Sequence, residues 1–365
     1  MIKTMNTTSK IKNQQSTIDI EGLLFKYIKP TDNDILSSLN GFDLQDLIIL
    51  IDNYYLKLRE KLNLEDDITF GLELEFENAM KKKIKKRLNK IFPNNEWSAT
   101  EDGSLHYGIE IKSPILTDTK ENWKDLNKVC RIAKSLATID KKSGGHIHVG
   151  AHILGDNPTS WLNFIKLWSV YENIIFRFSY GQFLTARPCI KHYAIPSASL
   201  FWQDYTSLSK ENANTSTIIT KIYHSCRYQA VNFDNIVEHM QLHNINKPYP
   251  YNTIEFRCPN GSLNPIIWQN NVNLFTKLLI YSKSLKYNDD IIQQRRLINQ
   301  DKYSDLKWYD EIYLSQALEL SDMIFTNNLD KIYFLRQYLK SFQINDYSRE
   351  YPQTIAKSLT KSKTI

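Results

Sequence analysis

The stretch that most restricts this chain is Thr69–Glu77, in which Glu73, Glu75 and Glu77 alternate with Leu72, Leu74 and Phe76. Strict alternation predicts a strand with one apolar face. Residues two apart share a face, so the three carboxylates stand in a row at roughly 7 Å intervals. Aligned like charges repel, and an ordinary half-exposed strand would break the row with Thr, Lys or Arg. Either the row is a solvated face, or it is enclosed and its carboxylates take up protons or share cations. In the second case hard divalent ions that prefer oxygen ligands, Mg2+ or Mn2+, are the natural partners.

Two neighbouring segments bear on that choice. Lys81–Arg87 carries charge all round any helix drawn through it. This predicts a solvated helix, seated by Leu88, Ile91 and Phe92, in preference to an anion-binding face. In Trp97–Pro114, Glu101-Asp102-Gly103-Ser104 is a turn signal between two extended runs and predicts a hairpin. Glu110 then lies on the return strand between Ile109 and Ile111, a candidate fourth carboxylate. Asn122–Lys141 follows as an amphipathic packing helix.

Ser143–Leu154 alternates His146, His148 and His152 with Ile147, Val149, Ala151 and Ile153 directly after Gly-Gly. The pattern predicts three imidazoles on one strand face, with Gly150 leaving room for something close to the backbone. His146 and His148 are metal or phosphate candidates; His152, nearer the strand end, is a weaker one. Zinc competes as the metal, since His with Glu suits it, although the carboxylates outnumber what a zinc centre needs. Thr159–Tyr180 reads as an apolar core helix, and Gly181–Pro196 as a lid-like loop with Arg187, Lys191 and His192. Arg227–Phe233 reads as a strand with Arg227 on one face and Asn232 on the other. In Tyr251–Leu263, Glu255 and Arg257 share a face: a surface pair of small worth, or a metal ligand beside a phosphate contact. Residues 266–283 read as a further helix.

Composition sets the frame. The chain has 365 residues, 42% of them hydrophobic, enough for one large domain with an appendage or for two domains. A net charge of +6 is mild, and no nucleic-acid partner is expected. Four scattered cysteines without a C-x-x-C pair suit reduced thiols. With no apolar run of membrane-spanning length and no signal peptide, the expected setting is cytoplasmic. Residues 1–16 read as a disordered lead, 17–65 as a helical appendage with a helix over Phe42–Leu62, 66–285 as the catalytic core and 286–365 as a helical C-terminal region.

Taken in order, Glu-x-Glu-x-Glu, Asp-Gly-Ser with Glu-Ile-x-Ser-Pro, Gly-Gly-His-x-His and Ile-Glu-Phe-Arg form a set that resembles the amidoligase family, carboxylate–amine ligases related to glutamine synthetase. The resemblance covers about Asp67–Lys277. It implies an α+β fold with a glutamine-synthetase-like core, a curved antiparallel sheet forming a half-barrel with helices on its outer face. It implies ATP and Mg2+ (or Mn2+) as cofactors, a carboxylate donor and an amine acceptor as partners, and an acyl-phosphate intermediate. By the same resemblance Glu73, Glu75, Glu110, His146 and Glu255 are metal ligands. His148 lies on the phosphate side, Arg257 contacts phosphate or acyl phosphate, and Arg227 and Asn232 contact nucleotide or substrate. Glu77 and Asp102 stand at its margin.

Three other readings use the same residues. A metal-dependent hydrolase or nuclease would form product without ATP. A non-catalytic binding protein would have an incomplete metal set, against which all four stretches retain their charged residues. A guanidino kinase would need more arginines around the motifs than this chain has.

Overall fold

The computed structural model describes residues 56–94, 96–101, 103, 105, 107–139, 142–180, 190–239, 252–311 and 313–339. Within them the fold is α+β. The strands are β1 (Phe70–Phe76), β2 (Ser98–Thr100), β3 (Ile109–Lys112), β4 (Gly145–Gly150), β5 (Val231–Asn232) and β6 (Thr253–Phe256). They form one six-stranded sheet in the order β2-β3-β1-β4-β6-β5, with every neighbouring pair antiparallel. The sheet is open and does not close into a barrel.

The helices are α1 (Lys81–Ile91), α2 (Lys120–Lys134), α3 (Pro158–Tyr180), α4 (Ile190–Tyr193), α5 (Ala198–Leu208), α6 (Thr215–Ile222), α7 (Asp234–His239), α8 (Pro265–Lys283), α9 (Asp289–Asn299), α10 (Lys307–Asp310), α11 (Leu314–Ile324) and α12 (Asn328–Tyr338). Local chemistry sets several of their starts. Thr119 accepts the Asn122 amide at the head of α2, and Asn264 accepts that of Ile266 ahead of Pro265 in α8.

Register decides what each sheet face carries. Leu74 lies opposite Ile111, Leu72 opposite Ile147, and Ile147 opposite Phe256. These side chains are essentially inaccessible and form the apolar face. Helices α2, α3 and α8 cover it. Phe256 stacks on Phe275 at 4.2 Å between centroids and leans on Trp168 at 5.7 Å, while Phe70 stacks on Trp123 at 5.1 Å. Each such ring contributes roughly 1.5–3 kcal/mol by burial.

Glu172 on α3 is fully buried. Its Oε1 accepts from Trp168 Nε1 and the Ser197 amide, and its Oε2 from the Ala198 amide and the Tyr309 hydroxyl. One carboxyl thereby ties α3 to the start of α5 and to α10. Helices α9 to α12 pack on α3, α8 or one another. No described helix is long and apolar enough to cross a membrane.

Several expectations need correction. The strand over Arg227–Phe233 shrinks to Val231–Asn232, because His224 and Ser225 adopt positive φ and the Gln229 amide turns back onto the Cys226 carbonyl. Helix α2 stops at Lys134, where Ser135 caps it. Ile91 is exposed, leaving Ile84, Leu88 and Phe92 to seat α1. Residues 56–62 are not helical: Leu62 and Leu64 donate their amides to Asp118 instead. Part of the lid-like loop, Ile190–Tyr193, is a helical turn. The lead over 1–16, residues 17–55, Asp102, Arg187 and residues 340–365 lie outside the described residues.

Candidate active site

The face of the sheet opposite the helices gathers the charged residues. On β1 and β3, Glu75 stands directly opposite Glu110, and Glu73 opposite Lys112. Glu73 also faces His146 on β4, His148 faces Glu255 on β6, and Glu255 faces Asn232 on β5. Four carboxylates and two imidazoles therefore meet across four strands, with Asn232 on a fifth beside them. Opposed like charges destabilise a sheet unless a cation lies between them.

Each carboxylate is closely held. Glu73 Oε2 lies 2.7 Å from His146 Nδ1, and its Oε1 accepts from Lys112 Nζ at 2.8 Å. Lys112 reaches Glu110 Oε2 as well, at 3.0 Å. Glu75 Oε2 accepts the Gly144 amide at 2.6 Å, and its Oε1 lies 3.7 Å from His146 Nε2. Glu255 Oε1 accepts from Arg257 Nη1 at 2.5 Å, and its Oε2 from Asn232 Nδ2 at 3.0 Å. Arg257 also donates through Nε to the Tyr193 carbonyl.

Among the described residues, two sets of ligand atoms lie close enough to share one ion each. They are Glu73, His148 and Glu255, and Glu73, Glu110 and His146, with the atoms of each set within 4.8 Å of one another. His148 tests whether a cation fits. Its Nδ1 lies 3.3 Å from Thr253 Oγ1 and 3.4 Å from Asn235 Nδ2, which orients the ring. Its Nε2 is shut off from solvent, makes no hydrogen bond, and sits 3.5 Å from Glu73 Oε1. A buried imidazole nitrogen that makes no hydrogen bond and lies beside a carboxylate suits a metal ligand. The residues fit a divalent cation.

The charges are strongly coupled. Burial pushes the Glu73 carboxyl up, but the hydrogen bond from His146 and the nearby His148 outweigh it and hold it far below the usual carboxylate range. Burial and the neighbouring Glu73 push Glu110 up, partly offset by Lys112. Burial pushes Glu255 up as well, yet His146, His148 and Arg257 bring it below the ordinary value. Burial and Arg257 push His146 down, and the Glu73 hydrogen bond with the charges of Glu255 and Glu75 raises it overall.

A raised imidazole stabilises the fold fully below its unfolded value of about 6.5, and that contribution is lost as pH rises through the folded value. Metal-free protein should therefore lose stability as pH climbs from about 6.5 through the folded value, by about 1.4 kcal/mol in all per unit of elevation. Urea unfolding across this range, beside His146→Asn, measures it; equal slopes for both chains would exclude His146 as the source.

The other candidates fall into place around this centre. Glu77 accepts the Tyr107 amide, outside both ligand sets. His152 is not on the strand: β4 ends at Gly150, and His152 lies in a short 3-10 turn with Nε2 near the Asp67 carbonyl. Its ring is what lies close to Gly150, where an added Cβ would come within 2.3 Å of it. Arg227 and His192 are exposed. Arg227 lies over the Tyr228 ring, and its carbonyl accepts from Asn232 Nδ2. Sequence reasoning missed Lys112, Thr253 and Asn235. Lys112 was within reach of it, since it stands two residues beyond Glu110 and must share that face.

The family described as Putative amidoligase enzyme matches residues 43–279, beginning well ahead of the acidic strand and taking in part of the stretch read as an appendage. No curated protein matches the chain.

Proposed function

The chain belongs to the amidoligase family, and from that premise we propose that it is an ATP- and Mg2+-dependent carboxylate–amine ligase acting through an acyl phosphate on a glutamine-synthetase-like core. The family implies a carboxylate and an amine as substrates in general terms. The observation that carries the reading is the pair of ligand sets sharing Glu73, with a buried His148 Nε2 in one of them that makes no hydrogen bond and lies 3.5 Å from Glu73 Oε1. Glu73, Glu110, His146, His148 and Glu255, the members of the two sets, would hold Mg2+ or Mn2+, with Glu75, which lies outside both sets, facing Glu110 beside them. When bound, the metal supplies neutralisation of charge on the transferring phosphoryl group.

The chain's own residues do the rest. A carboxylate is a poor electrophile until a phosphate is attached to it, and the amine then displaces that phosphate. Arg257, fixed by Glu255 and the Tyr193 carbonyl, has guanidinium N–H groups left for phosphate oxygens. Asn232 orients Glu255, and Arg227 beside it is a nucleotide contact in this reading. No protein nucleophile is required. A cytoplasmic setting suits the use of ATP.

Thermal unfolding with and without Mg-ATP tests the proposal, using wild type, Glu75→Ala and His146→Ala. Ligand at about 100 times its dissociation constant adds roughly 2.7 kcal/mol of stability. A shift that requires Mg2+ and disappears in both variants is expected, followed by hydroxylamine trapping of the activated acid. No shift in well-folded wild type, or product formed without ATP, would count against a ligase and favour a metal-dependent hydrolase.

A further inference from the structure

We propose that Lys112 is a built-in cation that takes the place of one metal ion, so that the Glu73–Glu110–His146 set is filled by an ammonium and only the Glu73–His148–Glu255 set takes an exchangeable divalent ion. The inference rests on the metal-binding reading above. Its basis is that Lys112 Nζ lies 2.8 Å from Glu73 Oε1 and 3.0 Å from Glu110 Oε2, two of the three ligands of one set. Register makes the contact intrinsic to the fold, since Lys112 is paired directly with Glu73 across β1 and β3.

The surroundings separate this contact from an ordinary surface ion pair. Glu110 is 6% exposed, and it faces Glu75 across the ladder, a like-charge pair that needs a cation nearby. Surface pairs contribute little because water screens both partners, and here one partner is buried. The other set differs in kind: it contains a buried imidazole nitrogen with no hydrogen-bond partner. In one set a lysine ammonium touches two of the three ligands; in the other, among the described residues, the only arginine contact, from Arg257, reaches Glu255 alone, and His148 Nε2 makes no hydrogen bond.

Mn2+ titration of EDTA-stripped protein, counting bound ions by the loss of the free Mn2+ electron paramagnetic resonance signal, tests the assignment. Wild type and Lys112→Arg keep the resident charge. Lys112→Met removes it and leaves Glu73 and Glu110 to recruit a metal. The expected result is one more Mn2+ per chain in Lys112→Met than in the other two. Lys112→Gln serves as a second neutral variant should Lys112→Met fold poorly. The same number of bound ions in all chains, whatever their affinities, overturns the inference and leaves the ligase reading standing. No Mn2+ bound by any chain overturns both.

Discussion

Glu73→Ala is expected to lower turnover by a factor of about 10^3 or more, the equivalent of some 4 kcal/mol of transition-state stabilisation. Glu73 belongs to both ligand sets, so its removal damages two cation positions at once, whereas Glu110 or Glu255 serves one. Loss of even a supporting residue around a metal commonly costs 10–100-fold, and a shared ligand should cost more. The same substitution leaves His146 and Lys112 without their nearest counter-charge. The fold should survive, because the side chain lies on the charged face and none of the apolar packing against α2, α3 and α8 depends on it. Circular dichroism should match wild type while Mn2+ binding and ATP-dependent hydroxamate formation collapse. Turnover within tenfold of wild type would remove Glu73 from the reaction.

Gly145→Ala should be damaging through shape alone. A Cβ built on Gly145 falls 2.0 Å from Trp268 Cη2, 2.5 Å from Cζ3 and 3.1 Å from the Glu73 carbonyl. Trp268 is fully buried and its Nε1 donates to the Ser262 carbonyl, so the ring cannot step aside cheaply. Overpacking of this kind costs about 1–3 kcal/mol. The strain falls on the residue before His146, at the point where β4 pairs with Leu74. Both midpoint denaturant concentration and Mn2+ affinity should therefore drop. Gly71→Ala is the matched control: its nearest neighbour would be His148 Cβ at 3.6 Å, an ordinary contact. Equal behaviour of the two variants would show that the close approach at Gly145 is not limiting.

Much of the centre was readable from periodicity. Alternation in Leu72–Phe76, in His146–Val149 and around Glu255 placed the carboxylates and imidazoles on common faces, and the antiparallel registers join those faces. The hairpin of β2 and β3 was equally visible from its turn residues. Where periodicity misled, it did so at element ends. His152 continues the alternation on paper, but the chain leaves the sheet at Gly150, and no local pattern announces that. The start of the strand at Arg227 misled similarly, because His224 and Ser225 at positive φ turn the backbone before the strand begins at Val231. Asn235 and Thr253 orient His148 only through tertiary proximity, across 87 and 105 residues of sequence. The face of Lys112 follows from its spacing to Glu110, but its contact with Glu73 needs the pairing of β1 with β3.

The spacing of the paired residues also sets how much chain entropy each pairing must overcome in folding. Lys112 and Glu73 are 39 residues apart, His146 and Glu73 are 73 apart, and the β4–β6 contact between His148 and Thr253 spans 105. Closing longer loops costs more entropy, and distant pairings form slowly. The ammonium can thus meet the acidic strand before the imidazoles arrive, and β6 brings the last ligand. If the β1–β3 pairing closes first, the row of carboxylates is partly neutralised by Lys112 before β4 and β6 cover it.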